Sequence, residues 1–416
     1  MATPVKTMKA IRWYPPSFDI RVEDIPVPQI QDGDDAIVKV TVRSDLHVYR
    51  GHAGVEKIHT SGHEFIGEVV ELGSNYGVHS QGRPELYATL KVGDKVVSPF
   101  TVNCGECNVC RLGYTCRCPF GALFGSPALE GGQAQYVRIP KAGGTLFNLS
   151  DSKSWSSALS DEAKTKALAG IADSSLLMLA DILPTGVFAA LQAMNHPKIL
   201  PALSGRPWPA SFFPGDASVT MLPEDRVLTF AIIGLGPVGL CACVSLLDML
   251  SAQPLPFQIV AIDPVESRRE KALAVYSKID EAGKGSGKFV AESIDNAKKT
   301  VQDWTGGVGC TAVLEIVGNP SAISLAYDLV RPFGAIISVG VHGEPQMPFT
   351  GRQLYNKNVS FDFGRCPARA MFPMAFDLLV KRQDVFGGVG GPDCLVDQIV
   401  GPNEAPEIYA ALTNRR

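Results

Sequence analysis

Leu228-Thr229-Phe230-Ala231-Ile232-Ile233-Gly234-Leu235-Gly236-Pro237-Val238-Gly239 is an apolar run that ends in three spaced glycines. A run of this length bounded by turn residues reads as a buried strand, and the residues from Pro237 onward read as a helix. Gly-x-Gly-x-x-Gly is a weak signal alone, but between a strand and a helix it becomes a strong one for a dinucleotide-binding turn. Gly234 permits the tight turn, Gly236 lets the backbone approach a pyrophosphate, and Gly239 lets helix and strand pack closely. The helix N-terminus at Pro237-Val238 offers N–H groups and a partial positive charge to the phosphates. The next strand, Gln258 to Ile262, ends at Asp263. A carboxylate there can accept hydrogen bonds from both adenine-ribose hydroxyls and repel a 2′-phosphate, which favours NAD over NADP. The plainer reading of Asp263 is a strand-end cap, and Arg268 and Arg269, a few residues on, leave room for NADP.

Outward from this turn, strands and helices alternate. Strand readings at Leu228 to Ile233, Gln258 to Ile262, Ala312 to Ile316 and Ala335 to Val341 are separated by helices starting at Pro237, Glu266 and Ser321. Such alternation means βαβ units on a doubly wound parallel sheet. The polar, Lys-rich stretch from Ser277 to Lys299 reads as a loop or a solvated helix. Upstream the pattern differs. Lys9 to Trp13, Ala36 to Val42, Ile66 to Leu72, Lys95 to Ser98 and Gln135 to Ile139 are short runs rich in Val, Ile and aromatics, which suits an all-β, barrel-like domain. Ser174 to Met194 turns helical around a break at Pro184, and Pro197 to Asp225, rich in Pro, Ser and Gly, reads as a linker or surface insertion. A chain of 416 residues, 45% of them hydrophobic, is long enough for two cores.

The second informative stretch is Cys104-Gly-Glu-Cys107-Asn-Val-Cys110, closed by Cys118. Four thiols at this spacing can surround one tetrahedral ion, and a full Cys₄ shell leaves no position for substrate, so the expected role is a structural Zn²⁺. Cys116 lies in the same stretch, and the choice of Cys118 as fourth ligand rests on spacing. Disulfides, a rubredoxin-like iron site and a nucleic-acid finger are the alternatives. Met1 to Ile20 lacks the apolar core of a signal peptide, which points to a reducing, cytoplasmic setting and against disulfides. Lys+Arg 38 against Asp+Glu 42 leaves a net charge of -4, and no basic block precedes Arg415-Arg416, so nucleic acid is not an expected partner. The longest apolar stretch, Val227 to Leu250, is interrupted by Gly234, Gly236, Pro237, Gly239 and Asp248, so no membrane span is expected.

Further fragments matter by their order: Arg43-Ser44-Asp45-Leu46-His47, Gly62-His63-Glu64-Phe65-Ile66-Gly67, Gly93-Asp94-Lys95-Val96, Gly131-Gly132-Gln133-Ala134-Gln135-Tyr136 and Ala180-Asp181-Ile182-Leu183-Pro184-Thr185-Gly186. With the cysteine quartet and the glycine turn, they make the chain resemble zinc-dependent medium-chain alcohol dehydrogenases from about Met8 to about Ala411. The resemblance is strongest to the formaldehyde dehydrogenase-like branch. It implies an α/β architecture with a GroES-like β-barrel catalytic domain over residues 1–195, completed by 346–416. A Rossmann NAD-binding domain would cover 196–345, with 196–225 as the insertion. It further implies a catalytic Zn²⁺ held by His63 and Asp181 with Glu64 beside it, a proton relay through Ser44 and His47, and Thr185 near the nicotinamide. The implied activity is hydride transfer between NAD and a small alcohol or aldehyde adduct, in a homo-oligomer.

Two departures from the family pattern stand out. A cysteine ligand is expected just before the Ser of the relay, where this chain has Thr41-Val42-Arg43. Either Val42 replaces it, or about four or five residues that carry it are missing; losing about four removes up to about 14 Å of extended chain. Weaker metal binding and lower activity are the expected consequences. The chain also ends at Thr413-Asn-Arg-Arg416, where the family pattern continues with a short apolar strand. The competing readings are a zinc-independent quinone or enoyl-type reductase of the same superfold, and a catalytically impaired NAD- and zinc-binding homologue.

Overall fold

The computed structural model describes residues 6–16, 18–44, 56–213, 220–279, 281–343 and 346–414. Asp45 and His47 lie outside the described residues. The chain folds as two compact units: Met1–Pro184 with Pro367–Gly390 and Val396–Arg416, and Thr185–Cys366 with Gly391–Leu395.

The first unit is built on antiparallel sheets. β1 (Thr7–Tyr14) pairs along its length with β2 (Asp19–Pro26), and β4 (His59–Thr60) adds to the other edge of β1. β2, Asp-Ile-Arg-Val-Glu-Asp-Ile-Pro, is half charged and carries no apolar run that would mark it as a strand in the sequence; its pairing with β1 defines it. A five-stranded sheet has the order β7 (Tyr136–Ile139), β3 (Ala36–Ser44), β5 (Glu64–Leu72), β6 (Lys95–Ser98), β8 (Phe147–Asn148). Ala36, Val38 and Val40 of β3 face a core with Phe65, Val69, Val96, Val137 and Ile139, while Lys39 and Thr41 face water. This period-2 pattern is what fixes register in a half-buried sheet. β3 continues past Val42 without a break, pairing Val42 with Ile66, Arg43 with Phe65 and Ser44 with Glu64.

The second unit is a parallel sheet of order β11 (Lys288–Glu292), β10 (Phe257–Ile262), β9 (Leu228–Ile233), β12 (Cys310–Glu315), β13 (Val330–Ser338), β14 (Ser360–Phe363). The order reverses between β9 and β12, both of them wholly buried, which makes this a Rossmann sheet with its topological switch point beside the glycine turn. Helices Pro237–Ser251, Glu266–Lys278, Ile294–Thr305 and Pro320–Leu329 follow β9, β10, β11 and β12. The edge strands β11 and β14 were not read from sequence, and β11 occupies part of the stretch read as a loop or solvated helix. Each is half-exposed and paired on one side only, so neither carries the apolar run that marks β9. Among the described residues between Pro197 and Asp225 there are short turns and the helix Leu200–Ser204, tied back by Arg226, which donates to Ala202 O (3.0 Å) and Leu203 O (3.2 Å). Among the described residues no single helix is long and apolar enough to cross a membrane.

Candidate functional site

The glycine turn has the geometry its sequence requires. Gly234 sits at φ +94°, and a Cβ there would lie 2.7 Å from Val317 Cγ2. A Cβ on Gly239 would lie 1.8 Å from Gly234 O, so helix and turn close on each other only without a side chain. Gly236 is different: no atom lies within 4 Å of the place a Cβ would take, so its backbone faces open space at the start of helix Pro237–Ser251. An open backbone at a helix N-terminus is the cradle a pyrophosphate needs. Asp263, only 1% exposed, caps the end of β10. Its Oδ1 accepts from Val265 N (2.9 Å), and its Oδ2 accepts from Leu235 N (2.9 Å) and from Arg268 Nη1 (3.3 Å). The capping contacts are therefore present, and they pin the glycine turn itself. Arg269 donates to the backbone oxygens of Asp263 and Pro264. Thr185 is buried in helix Ile182–Met194 and is the first residue of the second unit.

Cys104, Cys107, Cys110 and Cys118 bring their sulfurs within 4.8 Å of one another, and Cys116 stays outside the group. The loop's own backbone organises them. Cys104 Sγ accepts from Glu106 N (3.4 Å) and Cys107 N (3.3 Å), Cys107 Sγ from Cys110 N (3.4 Å), and Cys118 Sγ from Cys104 N (3.4 Å). None of the ten cysteines is in a disulfide. Burial pushes the Cys104 and Cys110 thiols up; at Cys107 burial acts the same way, but the Cys110 amide and the neighbouring thiols outweigh it and bring that group down to about 7. Four soft donors already preorganised by N–H···S contacts fit a tetrahedral Zn²⁺, whose uptake displaces the thiol protons. Burial also brings the Arg369 guanidinium, beside Cys110, down to about 10; it donates to Thr145 O and Leu146 O and supplies a fixed positive charge near the thiolates.

The second cluster is assembled from distant segments of the first unit. Gly62, at φ +100°, turns the chain into β5, so that His63 and Glu64, though adjacent, direct their donors to one place. The Gly131-Gly132-Gln133 motif locks this turn. Gly131 N donates to Thr60 O (2.8 Å), Gly132 N to Gly62 O (2.8 Å) and Gln133 N to Ser61 O (2.9 Å). A Cβ on Gly131 would approach Ser61 O to 2.3 Å, and one on Gly132 would approach the Phe65 ring to 2.3 Å. Asp181 is delivered by the buried 3₁₀ turn Leu177–Ala180, which packs on β3, β5 and β6. His63 Nε2 lies 3.3 Å from Asp181 Oδ2, and donor atoms of His63, Glu64 and Asp181 all lie within 4.8 Å of one another. Phe100 stands edge-on to the His63 ring at 6.3 Å.

One imidazole and two carboxylates, two of the three groups buried, make a donor set suited to a divalent cation. Ser44 is the cross-strand partner of Glu64, so its hydroxyl lies on the same sheet face, two residues beyond Val42. No cysteine joins this group among the described residues. Phe100 and Leu177–Leu179 lie outside every motif of the sequence; the turn runs into the Ala180-Asp181 fragment, whose carboxylate it positions.

Two family models match the chain: alcohol dehydrogenase GroES-like domain over residues 34–151, and zinc-binding dehydrogenase over residues 237–381. Zinc-type alcohol dehydrogenase B of Aspergillus flavus is 36% identical over 406 residues, 97% of this chain and 78% of that protein. Medium chain reductase/dehydrogenase ucsI of Acremonium sp is 36% identical over 353 residues, 84% of this chain and 98% of its own length. Formaldehyde dismutase of Pseudomonas putida is more distant, at 27% identity over 85% of this chain and 79% of its own. Among solved structures, alcohol dehydrogenase TADH from Thermus sp. ATN1 superposes with a TM-score of 0.69 at 25% identity, covering 98% of this chain and 97% of that one. GroES-like antiparallel sheets, a Rossmann sheet and a Cys₄ cluster thus occur together in a chain that belongs to the zinc-dependent medium-chain alcohol dehydrogenase superfamily.

Proposed function

We propose that this protein is an NAD-dependent oxidoreductase acting on a small alcohol or aldehyde adduct, with a second Zn²⁺ held by His63, Glu64 and Asp181. The observation that carries this reading is the convergence of those three donors within 4.8 Å, with Ser44 directly opposite Glu64. The antiparallel unit takes the catalytic role and the parallel unit the dinucleotide. When bound, zinc would supply a Lewis acid that lowers the pKa of the substrate hydroxyl, and NAD would supply the hydride acceptor. The chain's own residues do the rest. His63 and Asp181 fix the cation, Glu64 adds negative charge that tempers it, and the Ser44 hydroxyl receives the substrate proton and passes it toward His47. Gly236 and the start of helix Pro237–Ser251 bind the pyrophosphate. Asp263 disfavours a 2′-phosphate, with Arg268 as the residue that would soften that preference. Thr185 is assigned to the nicotinamide side.

Within the superfamily, Asp181 as third ligand supports the formaldehyde dehydrogenase-like branch, while the identities to the fungal relatives keep the substrate class open. A homo-oligomer and a cytoplasmic location complete the proposal. The absence of a thiolate from the second cluster specifically favours one other reading, an impaired or zinc-independent reductase of the same fold. Elemental analysis of the purified wild type and of His63→Ala, with NAD-dependent oxidation of simple alcohols in parallel, separates the two. Two zincs falling to one with loss of turnover is the expected result. One zinc in both proteins would mean that the second cluster holds no metal.

A further inference from the structure

Glu315, the last residue of β12, is completely buried and belongs to none of the sites above. Its Oε1 accepts from Val317 N (2.8 Å) and Gly318 N (2.7 Å). Its Oε2 accepts from Ser338 Oγ (2.7 Å), at the end of the neighbouring β13, and lies 3.2 Å from His342 Nε2. Ser338 Oγ and His342 Nε2 are themselves 2.8 Å apart. A carboxylate can only accept, and Ser338 has one proton to give, so the network assigns the hydrogen on Nε2 to His342 as donor. The imidazole rests against the Phe363 ring, centroids 4.6 Å apart.

A buried carboxylate is costly unless its lone pairs are filled. Here the filling holds two loops together. A Cβ on Gly318 would come within 2.5 Å of Val341 N, and one on Gly340 within 2.2 Å of Gly318 N, so the backbones after β12 and β13 touch directly. Val317 in turn lies against Gly234, where a Cβ would meet its Cγ2 at 2.7 Å. The chain of contact therefore runs from His342 and Ser338 through Glu315 to the loop at 316–318 and on to the glycine turn. It lies at the carboxyl ends of β9, β12 and β13, the first two flanking the switch point, where open α/β sheets bind nucleotides.

We propose that His342 is a positioning residue for dinucleotide binding: by donating to Glu315 together with Ser338, it fixes the loop at 316–318 that buttresses the glycine turn. The inference rests on the dinucleotide reading given above. The test is titration of the metal-replete protein with NADH, followed by nicotinamide fluorescence, for wild type, His342→Ala, His342→Gln and Ser338→Ala. His342→Ala is expected to raise the NADH Kd about tenfold in protein that still folds, with an unfolding midpoint a few degrees lower, as the loss of one hydrogen bond to a buried charge requires. His342→Gln, whose amide can donate to the same oxygen, should return to within about threefold of wild type. Ser338→Ala should weaken binding in the same direction. An NADH Kd in His342→Ala equal to that of wild type would overturn the inference, as would a His342→Gln protein as weak as the alanine variant. Absence of NADH binding to the wild type would overturn the dinucleotide reading and this inference with it.

Discussion

The two clusters of the first unit reach similar compactness by opposite routes. Cys104, Cys107, Cys110 and Cys118 come from one loop whose own amides point at the sulfurs, so the site is nearly complete once that loop has folded. His63 and Glu64 come from the entry to β5 and Asp181 from the end of a buried 3₁₀ turn far along the chain, and Gly62, Gly131 and Gly132, none of which has room for a Cβ, must close the turn before these groups can meet. Donor chemistry differs as well. The first site offers four soft thiolates in a closed shell, the second one imidazole and two carboxylates with Ser44 opposite. Four thiolates hold Zn²⁺ tightly, whereas a harder, more open set binds it less tightly and exchanges it sooner. The metal expected for structure and the metal proposed for chemistry therefore answer to different parts of the fold, one local and one global.

The strongest way to break the comparison is His63→Ala. It removes the only imidazole of the second cluster among the described residues, and turnover should fall by about 10³-fold as several kcal/mol of charge stabilisation is lost, while one zinc per chain remains. Turnover within a factor of three of wild type would sink the assignment of His63. Cys110→Ser attacks the other site: zinc content should again drop by one, but the readout is stability, with a fall of a few kcal/mol, or roughly 10 °C in unfolding midpoint. If midpoint and zinc content were both unchanged, the four thiols would not be a metal site.

Milder treatment sharpens the same contrast. During dialysis against a chelator of moderate strength, the cluster at His63 should lose its metal at least about tenfold faster than the Cys₄ loop, followed as zinc released against time. Two equal release rates would remove the distinction. The smallest expected effect is that of Ser44→Cys, which places a soft ligand opposite Glu64 and should tighten zinc at the second site about tenfold without raising turnover, because the hydroxyl of the relay is gone. Unaltered zinc affinity would show that β3 does not face the cluster closely enough to contribute a ligand.

How much was legible beforehand follows from where each signal lives. β9, β6 and the glycine turn have in the structure the ends that the sequence marks for them: β9 is a buried run with neighbours on both sides, β6 carries Val96 and Val97 between polar ends, and the turn admits little but glycine. β11 and β14 went unread, since an edge strand half in water carries no such run. For Asp263 the residues left two roles open. The structure displays the cap, with Leu235 N and Val265 N on its carboxylate, because only the fold brings the glycine turn back against the end of β10.

Whatever depends on neighbours along the chain is already written in it: the four thiols of one loop, the glycine-spaced turn after an apolar strand, and the alternation that makes a parallel sheet. Tertiary structure decided what depends on contacts between distant segments. It set the pairing of Ser44 with Glu64 across two strands, the approach of Asp181 to His63, and the burial of Glu315 beneath Ser338 and His342. The physical reason is that a residue's type and spacing encode its local geometry, whereas the partner of a buried polar group is chosen only when sheets and turns have closed and each donor must find the acceptor left beside it.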